Sequence, residues 1–287
     1  MSKGKLQKFA ENETFDCLIQ PSLDQVLDKA SSGLSCPPLI DHPLKGNWGR
    51  DFFHNDHPII LELGCGKGDY TLALALRHPE INYIGVDIKG ARMWKGAKMA
   101  TRMGLKNVGF LRTRIEFIGS LFGPGEVSEI WLTFSDPQIG REKKRLTSPR
   151  FLARYADFLR SDGTIHLKTD SRYLYEYTHA LCLANGLPVA FATPDLYALA
   201  PTAQAFPQAG ASTPAGTSAS PGAPAASLDP ALFEVQTFYE KHFLAQGYRI
   251  CYLAFPLAGR RDFLSPDWDE ARWADENHHA FVIQIHE

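Results

Sequence analysis

A chain of 287 residues with 44% apolar side chains can fill one large α/β domain or two small ones and bury a full core. Its 30 Lys and Arg stand against 32 Asp and Glu, a formal net charge of -2 that excludes a global attraction to nucleic acid and leaves such contacts to local basic patches. Five cysteines without a C-x-x-C pair argue against a zinc set or a disulfide framework and for a reducing, cytoplasmic setting, and no signal peptide or membrane span is expected.

Residues 1–44 read as an N-terminal arm. Its start, MSKGKLQKFAENE, is polar and expected to fray. Phe15, Leu18, Ile19, Leu23, Val26 and Leu27 are interrupted by prolines, which predicts an irregular arm with one short helix, then a loop over Ser31 to Pro38. The aromatics of DHPLKGNWGRDFF, 41 to 53, predict a segment packed on the main domain, which begins near residue 45.

The stretch Ile59 to Asp87 organises the rest. An apolar run broken only by Glu62 leads into Gly64, Gly66 and Gly68, then Leu72, Leu74 and Leu76 among alanines, then Tyr83 to Val86 and Asp87. Strand, glycine turn, helix, strand and acid form one mononucleotide-binding unit of a doubly wound, Rossmann-like α/β sheet. The glycines let the backbone turn sharply and admit a ligand near the helix start, and a strand-end acid can accept from both hydroxyls of a ribose. A dinucleotide fingerprint runs G-x-G-x-x-G and receives a pyrophosphate at the helix N-terminus. Here the run is E-x-G-x-G-x-G, and an acid facing the turn would repel a pyrophosphate but suits a cation. S-adenosylmethionine carries an ammonium and a sulfonium and no phosphate, so the pattern favours it over NAD.

In KGARMWKGAKMATRM, Ala91, Trp94, Ala97 and Met99 predict a helix with Lys89, Arg92, Lys95, Lys98 and Arg102 on other faces, either solvated or facing phosphates. Val108 to Leu111 is a third strand, followed by RTRIEF where an adenine would lie. Glu129 to Phe134 is a fourth strand, and Asp136 follows at its carboxyl end, where open α/β sheets bind ligands. Arg141, Lys143, Lys144 and Arg145 form the densest basic cluster of the chain, placed for phosphates. Ser148-Pro149 opens a helix expected to run through Phe151 to Leu159. Gly163 to Asp170 is a fifth strand, a Tyr-rich helix stops at Gly186, and Val189 to Ala192 is a sixth strand. Residues 198–230 turn to Ala, Pro, Ser, Gly and Thr, which predicts a disordered insertion. A helix ending at Gly247 and a seventh strand, Tyr248 to Phe255, complete the domain over 231–256. Residues 257–287 are a C-terminal extension whose AFVIQIHE could add an edge strand.

Four separated pieces, ELGCGKG, the strand-end GVD, FSDP with RLTSPRF, and LKTD with the later T-x-Y-E element, resemble the bacterial tRNA (guanine-N7)-methyltransferases over roughly residues 45 to 255. The glycine run is common to many methyltransferases; FSDP with RLTSPRF, in this order, is specific. The resemblance implies a methyltransferase sheet of about seven strands, mostly parallel with a late antiparallel strand. It implies S-adenosylmethionine as methyl donor, no metal, and tRNA as partner, with no membrane or DNA; monomer and homodimer both stay open. It implies that Glu62, Gly64, Gly66, Gly68 and Asp87 hold the cofactor, that Asp136 is the active-site acid, and that Asp170 with Thr237, Phe238, Tyr239 and Glu240 holds the substrate.

Two departures stand out. The usual cofactor Asp after the third strand is replaced by Arg114, with Glu116 close by but out of register. The loop after Asp136 lacks the usual Trp and nearby Lys, leaving Arg141, Lys143 or Lys144 to substitute. Each acid also has a structural reading: Asp136 as a turn cap before proline, Asp170-Ser171 as a helix N-cap, and Thr237 with Glu240 as a capping box. The alternatives to tRNA methylation are a methyltransferase for another RNA or a small molecule, and a non-catalytic RNA-binding protein on this fold.

Overall fold

The computed structural model describes residues 3–28, 38–200 and 228–273. An eight-stranded sheet with the order β1-β4-β3-β2-β5-β6-β8-β7 forms its centre. The strands are β1 (Leu18–Ile19), β2 (Ile59–Leu63), β3 (Asn82–Asp87), β4 (Val108–Arg112), β5 (Val127–Thr133), β6 (Leu159–Thr169), β7 (Phe191–Thr193) and β8 (Cys251–Pro256). Pairing is parallel throughout except along β8, which runs antiparallel to both β6 and β7. This is the mostly parallel sheet with a late antiparallel strand that the sequence implies, with one strand more at its edge.

Both faces of the sheet are covered, which is why β2 is buried along its whole length. Ile59, Leu61 and Leu63 enter one core with Leu132, Leu167 and Phe255, under α4 (Pro149–Tyr155) and α5 (Arg172–Ala184). Ile60 points the other way, into a second core with Phe110, Trp131 and Tyr252, under α2 (Asp69–Arg77) and α3 (Gly90–Met103). The register Leu61↔Ile84 and Leu61↔Ile130 aligns the carboxyl ends of β3, β2 and β5, and β6 lies next to β5. The direction of winding reverses between β2 and β5, so the loops there splay apart and leave a crevice.

Several expectations need correction. The chain start is not frayed over residues 3–12: α1 (Lys3–Asn12) packs on α3. The buried Asn12 donates to the Gly90 carbonyl at 3.0 Å, and Glu11 accepts from the Trp94 indole at 2.7 Å and from Lys98 at 2.9 Å. The arm also supplies β1, which pairs with β4 through Leu18↔Phe110 and Ile19↔Leu111. The helix expected to reach Leu159 stops at Tyr155, because Phe158 drops fully into the core and Leu159 already pairs with Val127. Trp48–Phe53 does pack on the domain, with the Trp48 indole donating to the Leu121 carbonyl at 2.7 Å.

The insertion's ends are ordered further than the sequence suggested. Tyr197–Leu199 forms a helical turn, and the chain is again held at Asp229, which accepts from Ala231 N–H at 2.8 Å just ahead of α6 (Ala231–Glu234). Residues 201–227, and the AFVIQIHE stretch, lie outside the described residues.

Candidate active site

The crevice is a cavity of about 920 Å³ at the carboxyl ends of β2, β3, β5 and β6, large enough for a nucleoside-sized ligand with room for a second group. Its floor is the glycine turn. Gly64, Gly66 and Gly68 all adopt positive φ (85°, 56° and 74°), a backbone region that suits glycine. Gly64 and Gly66 line the cavity, whereas a Cβ on Gly68 would lie 2.5 Å from the Phe110 ring, so this glycine serves the packing of α2 against the sheet.

Asp87, at the end of β3, accepts from Gly66 N–H at 2.9 Å with Oδ2 and from Lys89 N–H at 2.7 Å with Oδ1. It thus fixes the turn and lines the cavity, with further lone pairs for a ligand's hydroxyls. Glu62, one strand over, is only 6% exposed. Oε2 accepts from Thr71 N–H at 2.9 Å and from the Thr71 hydroxyl, and Oε1 from the Thr133 hydroxyl. Burial outweighs these donors and pushes the carboxyl up to about 7. A buried acid held so close to neutrality gains most from a cation placed against it.

Across the switch point, Asp136 sits exposed on the loop after β5, between Phe134 (φ 52°) and Gln138 (φ 51°), both in the left-handed region that non-glycine residues rarely adopt. Oδ1 accepts from Gln138 N–H at 2.9 Å, so the turn-capping role is real and engages one carboxylate oxygen. Asp170 lines the same cavity beyond β6. The N-cap of α5 is Ser171, which accepts from Leu174 N–H at 3.1 Å; Asp170 is not the cap. Thr237, Phe238 and Tyr239 form a further wall at the start of α7 (Phe238–Ala245). Phe238 is 59% exposed, with the Lys67 ammonium 4.7 Å from its ring.

A family model described as a putative methyltransferase matches residues 56–191. The tRNA (guanine-N(7)-)-methyltransferase of Bacteroides thetaiotaomicron is 42% identical over 93% of this chain and 91% of its own length. That of Porphyromonas gingivalis is 47% identical over 75% of this chain and 78% of its own. The chain belongs to the tRNA (guanine-N(7)-)-methyltransferase family. Among solved structures, an antibiotic-related methyltransferase matches at 16% identity with a TM-score of 0.47, covering 72% of this chain and 90% of that one.

Within this methyltransferase, several residues singled out from sequence stand away from the cavity. Arg114 precedes the helical segment Ile115–Ser120 after β4 and Glu116 lies in its first turn; Arg114 is exposed beside the Phe117 ring, and neither lines the crevice. Arg141, Lys143 and Lys144 are exposed on the loop beyond Asp136, outside the cavity. Arg145, counted with them as a phosphate contact, is fully buried and cannot reach a solvent-borne phosphate. Glu240 is also fully buried: with Thr237 it closes the capping box of α7, and it pairs with Lys168 at 2.7 Å and accepts from the Tyr197 hydroxyl at 2.7 Å. Burial pulls the Lys168 ammonium below its usual range, and Glu240 offsets part of that.

Other cavity residues escaped the sequence reading. Lys67, Arg172 and Arg249 also line it, and their scatter along the chain gives no run to notice; with Lys89 and Arg92, which the sequence left either solvated or facing phosphates, they balance the acids Glu62, Asp69, Asp87, Asp136 and Asp170 of the same lining. Thr71 and Thr133, which hold Glu62, carry no motif of their own. Among the described residues, no group of three or more His, Cys, Asp or Glu could hold a metal ion, and no helix is long and apolar enough to cross a membrane.

Proposed function

We propose that this chain transfers the methyl group of S-adenosylmethionine to N7 of a guanosine in tRNA, at a nucleotide of the variable loop. The observation that carries this reading is the sharing of one cavity by two sets of acids. Asp87 and Glu62 stand by the glycine turn, and Asp136 and Asp170 stand at the ends of the next two strands. From β3 to β6 are three inter-strand steps, about 14 Å, enough to seat a nucleoside cofactor beside a purine.

When bound, the cofactor supplies an electrophilic methyl on a sulfonium. Asp87 is placed to accept from the ribose hydroxyls, and Glu62 offers its charge to the ammonium. Guanine N7 has a free lone pair and no proton to lose, so no general base is required. Rate then depends on holding the two ligands in line. Positive charge moves onto the purine during transfer, and the Asp136 carboxylate stabilises it there or accepts from guanine N1–H and the N2 amino group. Exposed Arg141, Lys143 and Lys144 serve the phosphates of an RNA whose base has been presented by shape and backbone. The test is labelled methyl transfer to tRNA lacking N7-methylguanosine, with the modified position mapped by chemical cleavage. Label at a variable-loop guanosine is expected; label elsewhere, or none, refutes the reading.

A further inference from the structure

Nine residues after Asp136, the buried Arg145 turns back on the loop that carries the acid. Its Nε donates to the Pro137 carbonyl at 2.9 Å and its Nη2 to the Gln138 carbonyl at 3.2 Å, the two residues directly following Asp136. The guanidinium lies 3.9 Å from the Tyr177 ring centroid and 4.8 Å from that of Tyr173. Among the described residues its ion pair is with Glu270, at 3.0 Å, far along the C-terminal extension. Glu270 does more than neutralise Arg145. Oε1 also accepts from the Tyr173 hydroxyl at 2.7 Å, and Oε2 accepts from the backbone N–H of Gly140 on the same loop. Trp268 and Trp273, stacked on each other at 5.9 Å, set their faces edge-on to Tyr173, each at 5.7 Å.

We propose that Glu270 is a positioning residue for Asp136: the C-terminal extension clasps the loop Pro137 to Gly140 and holds the acid at the angle transfer needs. This rests on the role given to Asp136 above. Left-handed backbone at non-glycine positions is strained and persists only where the surroundings over-determine it. Phe134 and Gln138 are two such residues on either side of an exposed Asp136, and the loop's own hydrogen bonds are few. Arg145 and Glu270 supply the missing constraints from both ends of the turn. Without Glu270, Arg145 becomes a buried cation lacking its carboxylate, and the Gly140 end of the loop is released. Methyl transfer between two bound ligands tolerates little misplacement, about 1 Å costing on the order of 10²-fold.

The experiment is single-turnover methyl transfer at saturating tRNA and S-adenosylmethionine, with both affinities and the melting temperature measured on the same proteins. Glu270→Ala is expected to lower the rate about 10- to 100-fold while both affinities stay within about threefold. Glu270→Gln keeps one acceptor oxygen, enough for Gly140 N–H or for Tyr173 and Arg145 but not both, and is expected to fall between it and the wild type. Arg261→Ala, which breaks an exposed ion pair to Asp157 on the same extension, should leave the rate unchanged. In an Asp136→Asn background, Glu270→Ala should add little further loss, since it acts through that carboxylate. A Glu270→Ala rate within about twofold of wild type, a loss that tracks cofactor affinity, or full additivity with Asp136→Asn would each overturn the proposal. If Glu270→Ala does not fold, the Gln variant carries the same comparisons. Absence of transfer by the wild type would instead refute the reading of function on which this one rests.

Discussion

Glu62→Gln should separate the energetic cost of this carboxylate from its use. Moving an acid from 4.5 to about 7 means that the folded chain holds a proton where the unfolded chain has released it. Stability therefore falls as pH rises through that window; the penalty is absent below about 4.5 and complete above about 7, where it amounts to about 3 kcal/mol. The amide fits the same shell, with its oxygen accepting from Thr71 N–H and its NH2 donating to the Thr133 hydroxyl. The variant should thus match or exceed the wild type in unfolding free energy at pH 8, with the advantage shrinking by about 3 kcal/mol towards pH 4.5. Cofactor binding should move the opposite way. Loss of the charge facing the ammonium should weaken S-adenosylmethionine about tenfold or more, and the rise in wild-type affinity from pH 6 to 8 should vanish in the variant. Denaturant titrations of both proteins across pH 4.5 to 8, with calorimetric titration of the cofactor, read both effects. Parallel stability profiles for the two proteins would show that Glu62 does not titrate in this window and would sink the argument.

Asp136→Asn keeps size but removes charge and turns one acceptor into a donor; methyl transfer should drop about 10²-fold at near-normal melting temperature, and a normal single-turnover rate would reduce Asp136 to a turn cap. Replacing Arg141, Lys143 and Lys144 together by Ala should weaken tRNA binding and reduce the slope of log affinity against log salt by about two, with Arg145 left in place because it is buried; an unchanged slope assigns these charges to solvent. Glu240→Ala strips the buried Lys168 of its carboxylate and should destabilise the fold by about 3 kcal/mol or more, a loss under 1 kcal/mol in denaturant titration counting against that account.

What the sequence disclosed was local in character. The glycine turn, its flanking acids and FSDP are each set by a few consecutive residues with demanding backbone requirements, and the crevice stands where they put it. The failures came from pairings that distance hides. Arg145 looked like part of a solvated basic run, because nothing nearby reveals that its carboxylate lies 125 residues further on. Glu240 read equally well as a substrate contact and as a cap, and only the fold shows Lys168 behind it. A strand of two residues, Leu18–Ile19, is too short to show any alternation and exists because β4 offers it an edge.

The position of β8 fixes when this enzyme can come into being. It lies between β6 and β7 although it follows both in the chain. As the polypeptide leaves the ribosome, β7 therefore has no ladder to join until residues 251–256 have emerged, and the wall from Thr237 to Tyr239 has little to lean on. The glycine turn and its acids are synthesised early, yet the crevice they belong to cannot close before β8 slides in. Long-range pairing of this kind is slow to form and leaves unsatisfied strand edges exposed meanwhile. A nascent chain halted ahead of Cys251 would carry nearly every residue of the site and still be no methyltransferase.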